Sequence, residues 1–317
     1  MSEVLIAGWR FKALVASVLV AAGGYLLVAL YSGWDAVLHA VARIGLGGIA
    51  AALCMSLINY LLRFVRWQMY LKALGHKLPW LTHWRIYLSG LALTTTPGKA
   101  GEAVRSVFLK RFGVDYTQSL AAMLSERLSD LVAVVILSMV GLSLYPQAHT
   151  LVLAASVGVA VGLTLLAQQS WLQRLAQQSA NKAGQLWSAV YHGLHLLLQA
   201  RRCHSAPVLL AATLLSLAAW GSEALAFHWI TIWLGLDVSL RFAVFVYAVS
   251  MLAGAVSVMP GGLGGAEAAM VALLLFKGAP MADAVAATII IRLATLWFAV
   301  GLGMIALSSS SKQELPA

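Results

Sequence analysis

The chain has 317 residues, of which 61% are hydrophobic and only 10% are charged. A soluble domain carries roughly 25% charged residues and has too little interior to bury so much apolar surface. The composition therefore excludes a soluble enzyme, a disordered protein and a nucleic-acid-binding module. The net charge of +10 is typical of a membrane protein whose basic loops face anionic lipid headgroups.

Six apolar stretches of membrane-spanning length predict transmembrane helices. They cover residues 13–31, 45–62, 118–145, 149–167, 206–234 and 283–307. Two further apolar stretches, 86–96 and 242–259, run into sequences rich in proline and glycine, where a helix breaks. We interpret these two as re-entrant helical hairpins, which enter the membrane and return on the same side. The sequence thus predicts an all-α polytopic membrane protein with a single domain over 1–317.

The distribution of Lys and Arg predicts the orientation of the chain. If the N-terminus is cytoplasmic, the basic residues of the outside loops are Arg43, Arg241 and Lys277 alone. Those outside the spans otherwise fall on the cytoplasmic side, Arg63, Arg66 and Arg105 among them. We therefore expect a multi-pass protein of the bacterial inner membrane with both termini in the cytoplasm.

One sizeable polar segment, 168–205, falls on the predicted cytoplasmic side. Its apolar residues recur at helical spacing among Gln, Arg and Lys. This pattern fits an amphipathic helix that lies on the membrane surface, and it fits a plain linker helix equally well.

The two Pro-Gly sequences resemble each other and lie in halves of about 45–145 and 206–307. The corresponding residues are Pro97, Gly98, Gly101 and Glu102 in the first half and Pro260, Gly261, Gly264 and Glu267 in the second. Arg127 follows Glu102 at the same distance along the chain as Arg292 follows Glu267. Because the predicted hairpins enter from opposite sides, we predict an inverted-topology repeat with a site near the membrane midplane. The alternative is that such turns recur by chance in a glycine-rich membrane chain.

Each break places the start of a half-helix near the middle of the bilayer. Its first N–H groups lack helical partners and carry partial positive charge, so two such ends favour an anionic group such as phosphate. Glu102 and Glu267 fall in or near these first turns. They are either capping carboxylates or exchangeable ligands that compete with a phosphate or take up protons.

Three charged residues, Glu126, Arg127 and Asp130, share one predicted span. Glu126 and Asp130 lie on one helix face, so we expect a cation or a proton between them. We predict that both carboxylates hold Arg127 when the site is empty. A static ion-pair network is one interpretation. We favour a functional cavity, because Arg292 occupies the equivalent position and two arginines can grip a phosphate through forked hydrogen bonds.

Further polar residues lie at the edges of this pattern. Asn59, Arg63 and Arg66 line one side of the second span near its cytoplasmic end. They are either a positive-inside anchor or a site where a lipid headgroup enters the protein. Glu223, alone in an apolar span, is a candidate for proton coupling.

These residues carry a family resemblance: the chain resembles the transmembrane region of lysylphosphatidylglycerol synthases, a flippase-like family. Together with Arg292, the matching stretches are Asn59-x-x-x-Arg63-x-x-Arg66-Trp67, Pro97-Gly98-Lys99-Ala100-Gly101-Glu102-Ala103-Val104-Arg105, Glu126-Arg127-x-x-Asp130 and Pro260-Gly261-Gly262-Leu263-Gly264-x-x-Glu267. The resemblance implies a lipid translocase with two re-entrant helices and an internal pseudo-twofold axis. Family members are linked to aminoacylated phospholipids, hopanoids and polyprenyl-phosphate sugars. We expect no aminoacyl or sugar transfer, because no soluble transferase domain follows Leu307.

The predicted function is that of a flippase, not an enzyme, which moves a lipid with an anionic phosphate headgroup across the membrane. Two alternatives stay open: a membrane-embedded enzyme with Glu126 or Asp130 as acid/base, and a proton-coupled transporter of a small solute. A second copy of the chain and a lipid-modifying enzyme are the protein partners considered, and no nucleic acid is expected. His192-x-x-His195 lacks a nearby third ligand, so we expect neither a metal nor a cofactor.

Overall fold

The computed structural model describes residues 34–96, 101–180, 182, 184–257 and 259–311, together with the isolated Ala16 and Gly23. Over these residues the protein is predominantly helical and contains no strand. The helices are α1 (Trp34–Ala73), α2 (Trp80–Leu91), α3 (Val104–Lys110), α4 (Tyr116–Met139), α5 (His149–Ala167), α6 (Gln169–Ala180), α7 (Gln185–Arg202), α8 (Ala206–Trp233), α9 (Leu240–Val256), α10 (Gly265–Phe276), α11 (Met281–Arg292) and α12 (Phe298–Ser311). Apart from Ala16 and Gly23, the predicted span 13–31 lies outside the described residues, as do both termini.

Four stretches of the described chain are long and apolar enough to cross a membrane: Val37–Ala73, Pro146–Ala167, Ala206–Trp233 and Met281–Ser308. They coincide with the predicted spans at 45–62, 149–167, 206–234 and 283–307. Helix α4 has 24 residues, which at about 1.5 Å per residue gives it about 36 Å, enough to cross the bilayer. Its charged residues lower its hydropathy. The prediction of an all-α polytopic membrane protein is confirmed.

The first described helix, α1, is longer than the predicted span at both ends. It contains a break at Gly45, whose φ of +67° is open to glycine without strain. Beyond residue 62 it continues to Ala73, because Phe64, Trp67 and Tyr70 are buried in the protein and extend the packed face. Arg63 and Arg66, which follow position 62, therefore lie inside the protein and not in a loop.

Short helices flank both Pro-Gly sequences, as a break in each apolar stretch predicts. Helix α2 has 12 residues and α3 has 7 on either side of the first sequence. Helix α9 has 17 residues and α10 has 12 on either side of the second. A full span needs about 20 residues, so three of these helices are clearly too short to cross the membrane and α9 is at the lower limit. Their re-entrant course stays a prediction.

Helices of each half of the chain pack against helices of the other half. Helix α1 packs along α8, α2 packs on α12 of the second half, and α9 packs on α4 of the first half. The approach of α2 to α12 is so close that a Cβ atom added at Gly303 would lie 2.1 Å from the backbone nitrogen of Ala92. Likewise, a Cβ at Gly141 would lie 2.4 Å from that of Phe245. Glycine at both positions permits these contacts.

The polar segment 168–205 differs from a single continuous helix. It forms α6 and α7, which pack against each other, and α7 also packs on α4. Leu172 and Ala176 are buried, whereas Trp171 and Leu186 are exposed. The apolar residues thus face two directions, because some of them hold the two helices together.

Candidate functional site

A cavity of about 480 Å³ opens between the two halves. Its charged lining residues are Arg63, Arg127 and Asp130 from the first half and Glu223 and Arg292 from the second. Its apolar wall includes Leu131, Val134, Met251, Leu252 and Leu296. The structure therefore brings the predicted arginines of both halves to one cavity that has both charged and apolar lining residues.

In the second half, an ion pair between Arg292 and Glu267 stabilises the Pro-Gly turn. Arg292 donates from Nε to Oε1 of Glu267 at 2.6 Å and from Nη2 to the carbonyl of Gly261 at 2.8 Å. The other oxygen of Glu267 accepts the backbone N–H of Gly264 at 2.7 Å, just before α10 begins. Pro260 starts the 3₁₀ turn Pro260–Gly262. Of the two predicted roles of Glu267, the structure shows the capping one.

The first half contains the equivalent pair. Nη2 of Arg127 lies 3.4 Å from Oε2 of Glu102, which is almost fully buried. Oε1 of Glu102 accepts a hydrogen bond from the hydroxyl of Thr94 at 2.8 Å. Gly101 donates its backbone N–H to Thr96 at 2.7 Å. The equal spacing of glutamate and arginine in the sequence thus corresponds to an ion pair in each half. Pro97 and Gly98 lie outside the described residues.

A cation does lie between Glu126 and Asp130, and it is Arg66. Nη1 of Arg66 is 2.8 Å from Oδ1 of Asp130, and Nη2 is 3.8 Å from Oε1 of Glu126. The second oxygen of Glu126 accepts from Arg105 at 2.8 Å. Arg127 pairs with Asp130 at 3.5 Å but not with Glu126. The prediction that both carboxylates hold Arg127 is therefore wrong for Glu126, because neighbouring residues point to different sides of a helix.

The basic residues near the end of α1 are interior residues and do not form a surface anchor. Arg66 is fully buried, and its side chain also donates to Ser216. Asn59 is buried and donates to the carbonyl of Ala219 at 2.8 Å. Arg63 alone of the three predicted headgroup residues lines the cavity, 3.5 Å from Asp130. The placement of Arg63 and Arg66 outside the spanning helix was wrong, because α1 extends beyond the apolar stretch.

Arg105 is the main residue that sequence reasoning placed in a loop and the structure places in the interior. It is 2% exposed and bonds Oε2 of Glu102 at 3.0 Å as well as Glu126. Its guanidinium lies 4.2 Å from the ring centre of Trp67 and 5.1 Å from that of Tyr87. The spacing of three residues between Glu102 and Arg105 was the available signal, because such residues are neighbours on a helix.

Glu223 lines the cavity from the second half and accepts a hydrogen bond from the hydroxyl of Tyr247 at 2.6 Å. A π-helical turn, Leu293–Trp297, directly follows Arg292. The carbonyl of Thr295 in this turn accepts the hydroxyl of Tyr60. Such turns are frequent at functional sites, and hydropathy contains no signal for them. Within the part of the chain that the structure describes, no three His, Cys, Asp or Glu residues gather as metal ligands.

Comparison with known proteins identifies the family to which the sequence is similar. Residues 14–303 match the family described as the lysylphosphatidylglycerol synthase TM region. A UPF0104 membrane protein of Pyrococcus horikoshii is 24% identical over 315 residues, which cover 90% of this chain and 94% of that protein. A UPF0104 membrane protein of Methanothermobacter thermautotrophicus is 28% identical over 92 residues, 29% of this chain and 28% of that protein. The family match includes every residue of the cavity and of the ion-pair network.

Proposed function

The chain belongs to the lysylphosphatidylglycerol synthase transmembrane-region family, and from this premise we propose that it is a lipid flippase of the inner (plasma) membrane. The substrate is a lipid with an anionic phosphate headgroup. One observation carries the proposal: arginines of both halves line a single cavity whose other lining residues are largely apolar. A charged side chain at membrane depth is costly, so it usually marks a partner or a pathway.

The size of the cavity supports a headgroup as the occupant. Its 480 Å³ falls within the range of about 300–1,000 Å³ that is usual for ligand pockets. This space accommodates a phosphate with a small alcohol. In the proposed mechanism the lipid tails stay in the bilayer while the headgroup passes through the protein.

An inverted repeat supplies the means of alternating access. An equivalent ion pair is present in each half, Glu102–Arg127 and Glu267–Arg292. One helix of each short pair, α2 and α9, packs on the opposite half. We propose that these halves are related by a twofold axis in the membrane plane. Rocking of one half against the other would then open the cavity to either side in turn.

The position of the carboxylates favours transport over catalysis. Glu126, one of the two acid/base candidates, is fully buried and does not line the cavity, so it has no access to a substrate there. One oxygen of Asp130 is held by Arg66 at 2.8 Å and Trp220 at 3.1 Å. Both residues hold arginines in place, a role suited to a binding site.

The test is lipid translocation in proteoliposomes, with and without an imposed proton gradient. Fluorescent phosphatidylglycerol and fluorescent glucosylceramide, which lacks phosphate, are bleached from outside by dithionite. We expect bleaching beyond the outer leaflet for the phosphate lipid only. Arg127→Lys should slow it, and Arg85→Lys, the same change at an exposed arginine, should not. If folded protein moves no phosphate lipid faster than empty vesicles, polyprenyl phosphate included, the proposal is wrong.

A further inference from the structure

Asp130 holds its two carboxylate oxygens in unequal ways. Oδ1 is fixed by Arg66 and Trp220 at 2.8 and 3.1 Å. Oδ2 lies 3.5 Å from Nη2 of Arg63 and 3.5 Å from Nη2 of Arg127, and it makes no hydrogen bond. Charge-assisted hydrogen bonds are about 2.7–2.9 Å long. The two arginines therefore flank an oxygen that neither of them binds closely.

Arg63 lines the cavity and has hydrogen-bond donors without a partner. It is 6% exposed, and its Nε and Nη2 atoms have no hydrogen-bond partner. The Nε atom of Arg127 is likewise unpartnered, and both side chains line the cavity. A buried donor without a partner is costly, so these donors would be stabilised by an acceptor atom of a ligand.

Arg292 differs from both, although it lines the same cavity. Its Nε atom bonds Glu267 and its Nη2 atom bonds the carbonyl of Gly261. These bonds tie α11 to the turn before α10. Arg292 is thus engaged by its own half of the protein.

The charge of the first half points to the same place. Its ion-pair cluster is defined by the residues Arg63, Arg66, Arg105, Arg127, Glu102, Glu126 and Asp130. Four arginines face three carboxylates there, so the first half alone has one positive charge in excess. Glu223 of the second half lines the same cavity, so the positive charge is concentrated on the side of the first half, where an anion would bind.

We propose that the phosphate of the substrate binds between Arg63 and Arg127, beside Oδ2 of Asp130, and that Arg292 positions the Pro260–Gly262 turn without touching the phosphate. The ligand chemistry is a phosphate ester of an amphiphile. The proposal rests on the proposed function and assigns its anion site to one wall of the cavity. It replaces the expectation that Arg127 and Arg292 grip the phosphate together.

The experiment measures binding apart from translocation. Purified protein in detergent is titrated with dihexanoyl phosphatidic acid by calorimetry, and with inorganic phosphate at equal ionic strength. Arg63→Lys and Arg127→Lys keep the charge and lose the fork, so each should weaken binding of the lipid about tenfold. Arg292→Lys should lower the melting temperature while the dissociation constant stays within about twofold of that of Arg85→Lys, the control.

Each outcome decides one point. Equal affinity for inorganic phosphate and the lipid identifies a site for free phosphate and overturns the lipid assignment. Wild-type affinity in folded Arg63→Lys overturns the proposed site, and so does a tenfold loss in Arg292→Lys with an unchanged melting temperature. Phosphatidic acid binding without translocation leaves the site intact and defeats the flippase function. Translocation of the phosphate lipid without binding of phosphatidic acid overturns the proposed site and leaves the flippase function intact.

Discussion

In the first half of the molecule, four arginines and three carboxylates form one buried network; in the second half, one ion pair is present at the equivalent place. The shift that aligns Glu102 with Glu267 and Arg127 with Arg292 also aligns Arg105, Glu126 and Asp130 with Met270, Ile291 and Thr295. A buried ion pair can often be exchanged for apolar residues without loss of stability. The second half is such an exchange, so these helices can pack without the network. The charges of the first half therefore call for another explanation, and anion binding provides one.

The largest expected effect comes from replacing charged residues of the first half, one at a time, with their counterparts in the second half. Glu126→Ile removes one of the two carboxylates that Arg66 and Arg105 each contact, so Arg66 keeps Asp130 and Arg105 keeps Glu102. Breaking a buried pair costs about 3–5 kcal/mol, and we expect a cost near the lower end, about 3 kcal/mol, because each arginine retains one partner. We expect a corresponding fall in the melting temperature measured in detergent. Adding Arg105→Met, the residue of the second half, should restore at least half of that loss. A double variant as unstable as the single one would contradict the comparison.

The next largest effect concerns the contact between α2 of the first half and α12 of the second half. Gly303→Ala places a methyl group against the backbone of Ala92, and overpacking typically costs about 1–3 kcal/mol. The matched control is Gly301→Ala on the same helix, where a Cβ meets no atom within 4 Å. That variant should gain about 0.5–1 kcal/mol from helix propensity. Melting temperatures that shift in the same direction would show that α2 and α12 are not in close contact.

A smaller effect separates two equivalent tyrosines. The hydroxyl of Tyr247 bonds Glu223 at 2.6 Å, and a hydrogen bond to a charged group contributes about 1.5 kcal/mol or more. Tyr87 occupies the equivalent place after the α1–α2 turn, and its ring stacks on Arg105. We expect Tyr247→Phe to lower the free energy of unfolding by about 1.5 kcal/mol and Tyr87→Phe by less than about 0.5 kcal/mol. Denaturant unfolding in mixed micelles measures both, and the reverse order would refute the assignment.

The smallest effect lies in the loop that joins α3 to α4. Lys110 donates to Asp115 at 2.5 Å on the exposed surface, and this bond holds the pKa of Asp115 below its ordinary 3.8. The pair therefore contributes stability above that pH, and the contribution is lost as the pH falls through the lowered pKa. The difference in melting temperature between wild type and Lys110→Met should be constant near neutral pH and disappear in acid. Lys277→Met in the equivalent loop of the second half, where no ion pair occurs among the described residues, should show no such dependence.

Local signals in the sequence predicted the scaffold and much of the site. Charges within an apolar stretch and Pro-Gly sequences after one are visible without any fold, and they located Asp130, Arg127 and both breaks. Arg105 was placed in a loop, because only tertiary packing surrounds it with Trp67 and Tyr87. The ion-pair partners of Glu126 could not be predicted from the sequence either. Glu126 binds residues from α1 and α3, and hydropathy does not show which helices are in contact.

The exchange of packing partners between the halves has a consequence for biosynthesis. Helix α2 ends at Leu91, and the helix on which it packs begins at Phe298, about two hundred residues later. At about 5–20 residues per second, a ribosome needs roughly ten to forty seconds to deliver that partner. During this interval α2 and the charged network beside it lack one wall. We expect the nascent chain to require a protected lateral space at the insertion machinery until α12 is made.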